Sequence, residues 1–134
     1  MVELASHYGE GPIDLKEIAK KENISIKYLE QVINPLRADG LVKAMRGAKG
    51  GYSLAKPPSE ICLHEVIEIL EGPLNLLDCL GDPKACQKVS SCVTREVWKE
   101  VSDAIAKIFS SVTLEELVNR KREKAKNNSP TYQI

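Results

Sequence analysis

No apolar run in this sequence approaches the roughly 18 consecutive residues that a membrane-spanning helix needs, and aromatic residues are few. The start, Met1-Val2-Glu3-Leu4-Ala5-Ser6-His7, also lacks the basic segment, apolar stretch and small-residue cleavage site of a secretory signal. The expectation is a cytoplasmic protein with no membrane partner. Excess charge of either sign is absent too: 19 lysines and arginines stand against 19 aspartates and glutamates, so the total says nothing about nucleic acid. No nucleophile stands with a base, and no paired-acid motif or phosphate loop is present, which argues against an enzyme. Gly47-Ala48-Lys49-Gly50-Gly51-Tyr52 is glycine-rich, but it lacks the spacing and the terminal Lys-Ser/Thr of a phosphate-binding loop.

What is there is sorted along the chain. At 134 residues the expectation is one hydrophobic core with appendages. Between Arg37 and Lys56 lie Arg37, Lys43, Arg46, Lys49 and Lys56 against the single acid Asp39, a candidate phosphate-facing surface. Between Pro57 and Pro83 lie Glu60, Glu65, Glu68, Glu71, Asp78 and Asp82 with no lysine or arginine, so this stretch is expected to stay off DNA.

Helical patterns fill most of the sequence. Met1 to Tyr8 reads as the end of a helix, broken by Gly9-Glu10-Gly11-Pro12. Asp14 with Glu17 suggests a capping box for a short helix ending near Asn23, with Leu15, Ile18 and Ala19 on one face. Ser25 is placed to cap the next helix, whose Leu29, Val32, Ile33 and Leu36 repeat at three- and four-residue spacing until Gly40; Pro35 should bend it. Leu41 to Arg46 and Tyr52 to Ala55, joined by Gly47 to Gly51, read as a β-hairpin. Helix, turn, helix and hairpin together predict a mainly α fold, a winged helix-turn-helix with a small hairpin wing.

Beyond the wing, a helix from about His64 to Glu71 is expected to turn Val66, Ile67 and Leu70 inward, and a cysteine loop follows. Val97, Trp98, Val101, Ile105, Ile108 and Phe109 mark a longer helix whose apolar stripe is too continuous to stay exposed, which predicts dimerisation along it. Thr113 with Glu116 should cap a last helix carrying Leu114 and Leu117. The expected organisation is a DNA-binding domain over 1–58, a sensor loop with dimerisation helices over 59–126, and a disordered tail over 127–134.

In a winged helix-turn-helix the second helix enters the major groove, its first turn reaching base edges while flanking residues hold phosphates. Removing the inward positions leaves Ser25, Lys27, Tyr28, Glu30 and Gln31 as candidates. Glutamate can accept from cytosine, glutamine can pair with adenine and lysine can reach guanine, and Glu30 is the first choice. In the wing, Arg46 and Lys49 flank glycines that let the backbone approach a groove closely, and Arg46 is the preferred contact.

In a reducing compartment, cysteines clustered in sequence point to metal or redox chemistry in preference to disulfides. Cys79, Cys86 and Cys92 are separated by six and five residues, wider than the usual pairing of structural zinc ligands and suited to a larger cofactor. The spacing leaves three readings open: an iron–sulphur cluster, a zinc loop and a cluster-free thiol switch. Cys62, between Ile61 and Leu63, is expected to be a small core residue, and His7 and His64 surface or capping residues.

Tyr28-Leu29-Glu30-Gln31, Leu36-Arg37, Gly40-Leu41-Val42 and Arg46-Gly47-Ala48-Lys49-Gly50-Gly51-Tyr52 resemble the Rrf-type winged-helix regulators, and the likeness covers nearly the whole sequence. The three cysteines followed by Thr94 and Trp98 resemble that family's IscR-like, cluster-binding branch, to which NsrR and CymR are related. The resemblance implies a homodimer with a long C-terminal helix at its interface, bound to palindromic double-stranded promoter DNA as repressor or activator. It also implies an iron–sulphur cluster on Cys79, Cys86 and Cys92, two-iron two-sulphur as first choice and four-iron four-sulphur as second. By position it assigns base reading to Lys27 and Glu30 and the wing contact to Arg46. Two departures stand out. IscR-like members carry a histidine three residues after the last cysteine, where this sequence has Arg95, leaving Asp78, Asp82, His64 or a residue of the partner's first helix for the fourth position. Family members also begin further upstream, with a Ser-x-Lys-Gly-x-Tyr stretch, so Met1 is expected to be an internal methionine.

Overall fold

The computed structural model describes residues 1–128. Helix α1 (Val2–Ser6) leads into α2 (Leu15–Glu22) and α3 (Ile26–Ala38), followed by strands β1 (Val42–Met45) and β2 (Gly51–Leu54). Then come α4 (Leu63–Glu71), the one-turn α5 (Asp78–Gly81), the 19-residue α6 (Val93–Ser111) and α7 (Leu114–Asn127). This is the mainly helical fold with a two-stranded wing that the patterns predict. Helix α7 reaches Asn127 and is capped by Asn128, two residues into the expected tail, and the rest of that expectation, 129–134, lies outside the described residues.

Local chemistry explains the helix ends. The Asp14 carboxylate accepts the Lys16 N–H at 3.0 Å and Ser25 Oγ accepts the Tyr28 N–H at 3.1 Å, each satisfying a donor that its helix leaves free. The capping box expected of Asp14 and Glu17 does not form: Asp14 bonds one residue earlier, and the Glu17 carboxylate turns along the helix to Lys21 at 3.7 Å. Asn23 closes α2 in the left-handed conformation, φ 53°, which its short polar side chain tolerates. Helix α3 continues through Pro35 to Ala38, and Gly40, φ 83°, turns the chain into β1.

The hairpin is antiparallel, with Val42 opposite Leu54 and Met45 opposite Gly51. The segment before α2 joins it: Ile13 and Tyr52 exchange backbone hydrogen bonds of 2.9 and 2.8 Å. A side chain at Gly51 would collide with the Ile13 carbonyl, so the wing can lie against this segment only with glycine there.

One buried cluster joins the helix-turn-helix to the C-terminal helix. Leu36, Leu41, Leu54, Ile61 and Leu114 are its most enclosed members, with Ile33, Val66 and Val118 beside them. Helix α7 packs on α1 and on the turn at Pro58–Glu60, while α4 lies between α3 and α6. Two expectations are corrected here. Leu70 is exposed, because Val66 and Ile69, three residues apart, carry the inward face of α4. Cys62 is half-buried and not part of the core: Ile61 takes that place, and Cys62 pairs with Thr113 in a short antiparallel bridge.

A buried carboxylate adds a polar tie. Glu3 of α1 receives Lys21 Nζ of α2 at 2.8 Å and Lys121 Nζ of α7 at 2.7 Å, with His7 Nδ1 at 3.6 Å. Burial alone would raise its pKa, but the two ammonium groups outweigh that and bring it from 4.5 down to about 2.

Candidate DNA-binding face and cysteine loop

The first turns of α3 stand clear of the core. Leu29 points inward, and Ser25, Lys27, Tyr28, Glu30 and Gln31 are all exposed. Ser25 uses its hydroxyl oxygen as the helix cap, which leaves its O–H free to donate. On the wing, Arg46 and Lys49 are exposed on the turn between the strands. Among the described residues, none of Lys27, Glu30, Arg46 and Lys49 forms an ion pair. Donors and acceptors with no internal partner are what contact with phosphates and base edges requires.

The wing is tied to the helix beside it. The Arg37 guanidinium, in the last turn of α3, lies over the Tyr52 ring of β2 at 5.9 Å from its centroid. With Tyr52 also bonded to Ile13, hairpin and helices hold one another in register.

The cysteine loop runs from Gly72 to Cys92. Cys79 lies half-buried in α5, Cys86 is exposed just after a turn at Pro83–Ala85, and Cys92, half-buried, occupies the N-cap of α6. Asp82 is used locally, its carboxylate accepting the Lys84 N–H at 3.0 Å. His64 Nε2 lies 3.5 Å from Glu68 on its own helix. Arg95, at the position where the resemblance expects a histidine ligand, donates from Nη2 to the Cys79 carbonyl oxygen at 3.3 Å. Its Nε is buried without a partner. The loop is thus tied to the start of α6 by a side chain that cannot ligate a metal.

Cys92 has a distinct environment. Its sulphur is 3.2 Å from the Thr94 hydroxyl. That contact, followed by the backbone N–H of Arg95, lowers the thiol pKa; partial desolvation opposes, while the Thr94 N–H and the Arg95 charge reinforce. The donor set of three thiols suits a thiophilic metal or cluster. Among the described residues, however, no three His, Cys, Asp or Glu side chains form a group able to hold a metal ion. The conformation brings the Cys79 backbone to α6 through Arg95 and leaves Cys86 out on the exposed arm.

Long-range partners escaped sequence reasoning. The Arg95 bond to Cys79 spans 16 residues, and the Arg37–Tyr52 stacking spans two elements; only the cationic nature of each residue was visible beforehand.

Comparison with known proteins gives this geometry a context. The HTH-type transcriptional regulator CymR of Bacillus subtilis is 43% identical over 119 residues, covering 89% of this chain and 81% of the relative. The HTH-type transcriptional regulator IscR of Photorhabdus laumondii is 42% identical over 119 residues, covering 89% and 72%. The solved structure of B. subtilis CymR, described as the global cysteine regulator, superposes with a TM-score of 0.76 at 42% identity, over 89% of this chain and 87% of that one. That of T. potens IscR gives 0.74 at 36% identity, over 98% and 84%. These relatives are named as regulators, not enzymes, and among the described residues no helix is long and apolar enough to cross a membrane. Residues 1–120 match the Rrf2 family, described as iron-dependent transcriptional regulators, and the chain belongs to that family of winged-helix, DNA-binding transcription regulators.

Proposed function

We propose that this transcription regulator acts in the cytoplasm as a homodimer on palindromic promoter DNA and senses iron–sulphur or redox status, including nitric oxide, through its cysteine loop. Base contacts are assigned to Lys27, Tyr28, Glu30 and Gln31 from the first turns of α3; Ser25 at its cap and Arg46 and Lys49 of the wing are the other DNA contacts. Cys79, Cys86 and Cys92 would hold the cluster, which when bound supplies reversible electron transfer and reactivity toward oxidants. The observation that carries the reading is the position of Cys92: a thiol of lowered pKa at the N-cap of the same helix that exposes Val93, Val97, Trp98, Val101 and Ile108. A change at the loop therefore acts directly on the helix proposed as the dimer interface.

The test is purification without oxygen, followed by a visible spectrum with iron, zinc and sulphide analysis. The intact chain is compared with Cys79→Ala, Cys86→Ala and Cys92→Ala. Colour that depends on the cysteines, with matching iron and sulphide, supports the cluster; a colourless protein with stoichiometric zinc or free thiols sinks it. A second reading, a cluster-free switch driven by thiol oxidation, is favoured by the exposure of Cys86 and the lowered pKa of Cys92. It predicts DNA binding that changes with peroxide and recovers with dithiothreitol in metal-free protein.

A further inference from the structure

A notch of about 450 Å³ lies between the start of α2, the end of α3 and the turn of the wing. Arg37 of α3 and Arg46 of the wing both line it, together with Tyr52, Gly47 and Asp14. Asp14 is the only acid among its lining residues, and its carboxylate already accepts the Lys16 N–H. Neither guanidinium forms an ion pair or hydrogen bond among the described residues. Arg37 is nevertheless restrained: its guanidinium rests on the Tyr52 ring, and Tyr52 is held on both sides, by Ala44 across the hairpin and by Ile13 through two backbone bonds. A guanidinium held over a ring by a cation–π contact keeps its N–H donors for a second partner.

We propose that this notch is a seat for one DNA backbone phosphate, gripped between Arg37 and Arg46, and that Arg37 is a DNA-contact residue outside the base-reading set. The inference rests on the DNA-binding reading and deepens it. An oxyanion with several acceptor oxygens matches a notch lined by two guanidinium groups. The notch lies between α3 and the wing, the two elements proposed to contact DNA, where a phosphate backbone would pass. Arg37 would thereby fix the register in which the first turn of α3 meets base edges, without reading any base itself.

Phosphate contacts leave a signature that positioning residues do not: each adds about 0.9 to the slope of log affinity against log salt. The probe is a fluorescein-labelled random-sequence duplex of about 30 base pairs, followed by anisotropy from about 50 to 200 mM KCl, which isolates the phosphate component. Arg37→Gln is expected to lower the slope by about one, so that its affinity deficit shrinks roughly threefold across that range. Arg37→Lys keeps the charge and should keep the slope while weakening binding; Tyr52→Leu, which removes the stacking platform, should do the same. Lys99→Gln, whose target is paired with Asp103 on α6, is the control and should leave slope and affinity unchanged. Circular dichroism melts confirm that each variant is folded. An unchanged slope in folded Arg37→Gln, with the unsubstituted chain binding normally, overturns the phosphate seat alone. No binding by the unsubstituted chain at the lowest salt overturns the DNA-binding reading, and the seat with it.

Discussion

Arg95 reaches back from the first turn of α6 and donates a hydrogen bond to the carbonyl oxygen of Cys79, 3.3 Å away, so the beginning and end of the cysteine loop are joined by a cation. A charge-assisted bond of this kind contributes about 1 to 2 kcal/mol to holding the loop. Removing it in Arg95→Ala should raise the alkylation rate of the half-buried Cys79 roughly fivefold or more, the rate equivalent of about 1 kcal/mol. Mass spectrometry after timed iodoacetamide treatment of metal-free protein reads the effect; an unchanged rate would mean the bond does not restrain the loop.

Cys92 should be the first thiol to react in metal-free protein below pH 8, because the Thr94 hydroxyl and the Arg95 N–H favour its thiolate. Thr94→Val removes the leading cause. The pH midpoint of Cys92 alkylation is then expected to move upward, while that of Cys86 stays where it was. A midpoint equal in the two proteins would assign the reactivity to something other than Thr94.

Glu3 makes stability depend on acid pH in a defined window. Its folded pKa, about 2, lies below the ordinary 4.5. Its contribution is therefore complete above about pH 4.5 and is lost as pH falls from there toward 2. With Lys21 and Lys121 each about half exposed, solvent screening reduces the contribution to about 2 kcal/mol. Urea unfolding of Glu3→Gln should show that deficit at pH 7 and a much smaller one at pH 3. A deficit of equal size at both values would trace the loss to packing.

Gly51→Ala should loosen the wing. The added methyl group meets the Ile13 carbonyl, so either the Ile13–Tyr52 pairing opens or the hairpin shifts. A cost of about 1 to 3 kcal/mol is expected, with weaker DNA binding beyond what the lost stability explains. If DNA affinity is unchanged in the folded variant, the wing does not need this docking.

Val97→Glu and Val101→Glu test the proposed dimer. Both side chains are exposed on α6 in the single chain. If they meet a second copy, a buried unpaired carboxylate would displace the equilibrium toward monomer, read by sedimentation velocity. A dimer unaffected by both substitutions would place the interface elsewhere.

The features open to sequence reasoning were those whose cause lies within a few residues. Ser25 and Thr113 cap helices because a hydroxyl three residues ahead of an N–H is already in reach. Gly40 ends α3 because glycine alone takes that turn freely, and the glycine-rich turn marks the hairpin. Glu3 gave no such sign: a glutamate in a first helical turn reads as solvated, and one of the lysines that enclose it lies 118 residues away. Leu70 misled because the end of α4 offers two apolar positions side by side, and only packing selects Ile69. Three cysteines announced a thiol-rich loop, but how that loop is held depends on Arg95, whose partner is fixed by the fold and not by spacing.

The bridge between Cys62 and Thr113 has a mechanical meaning. Leu63 N–H bonds to the Val112 carbonyl at 2.8 Å and Leu114 N–H to the Ile61 carbonyl at 2.9 Å, so the chain leaves and re-enters the core at one point. Between these two bonds α4 stays on the core through Val66, while the three loop cysteines and most of α6 form an excursion closed at its neck. Helix α6 packs on α4, and α4 in turn packs on α3. A displacement of the loop thus has one packed route, through α6 and α4, to the helix proposed above to contact DNA.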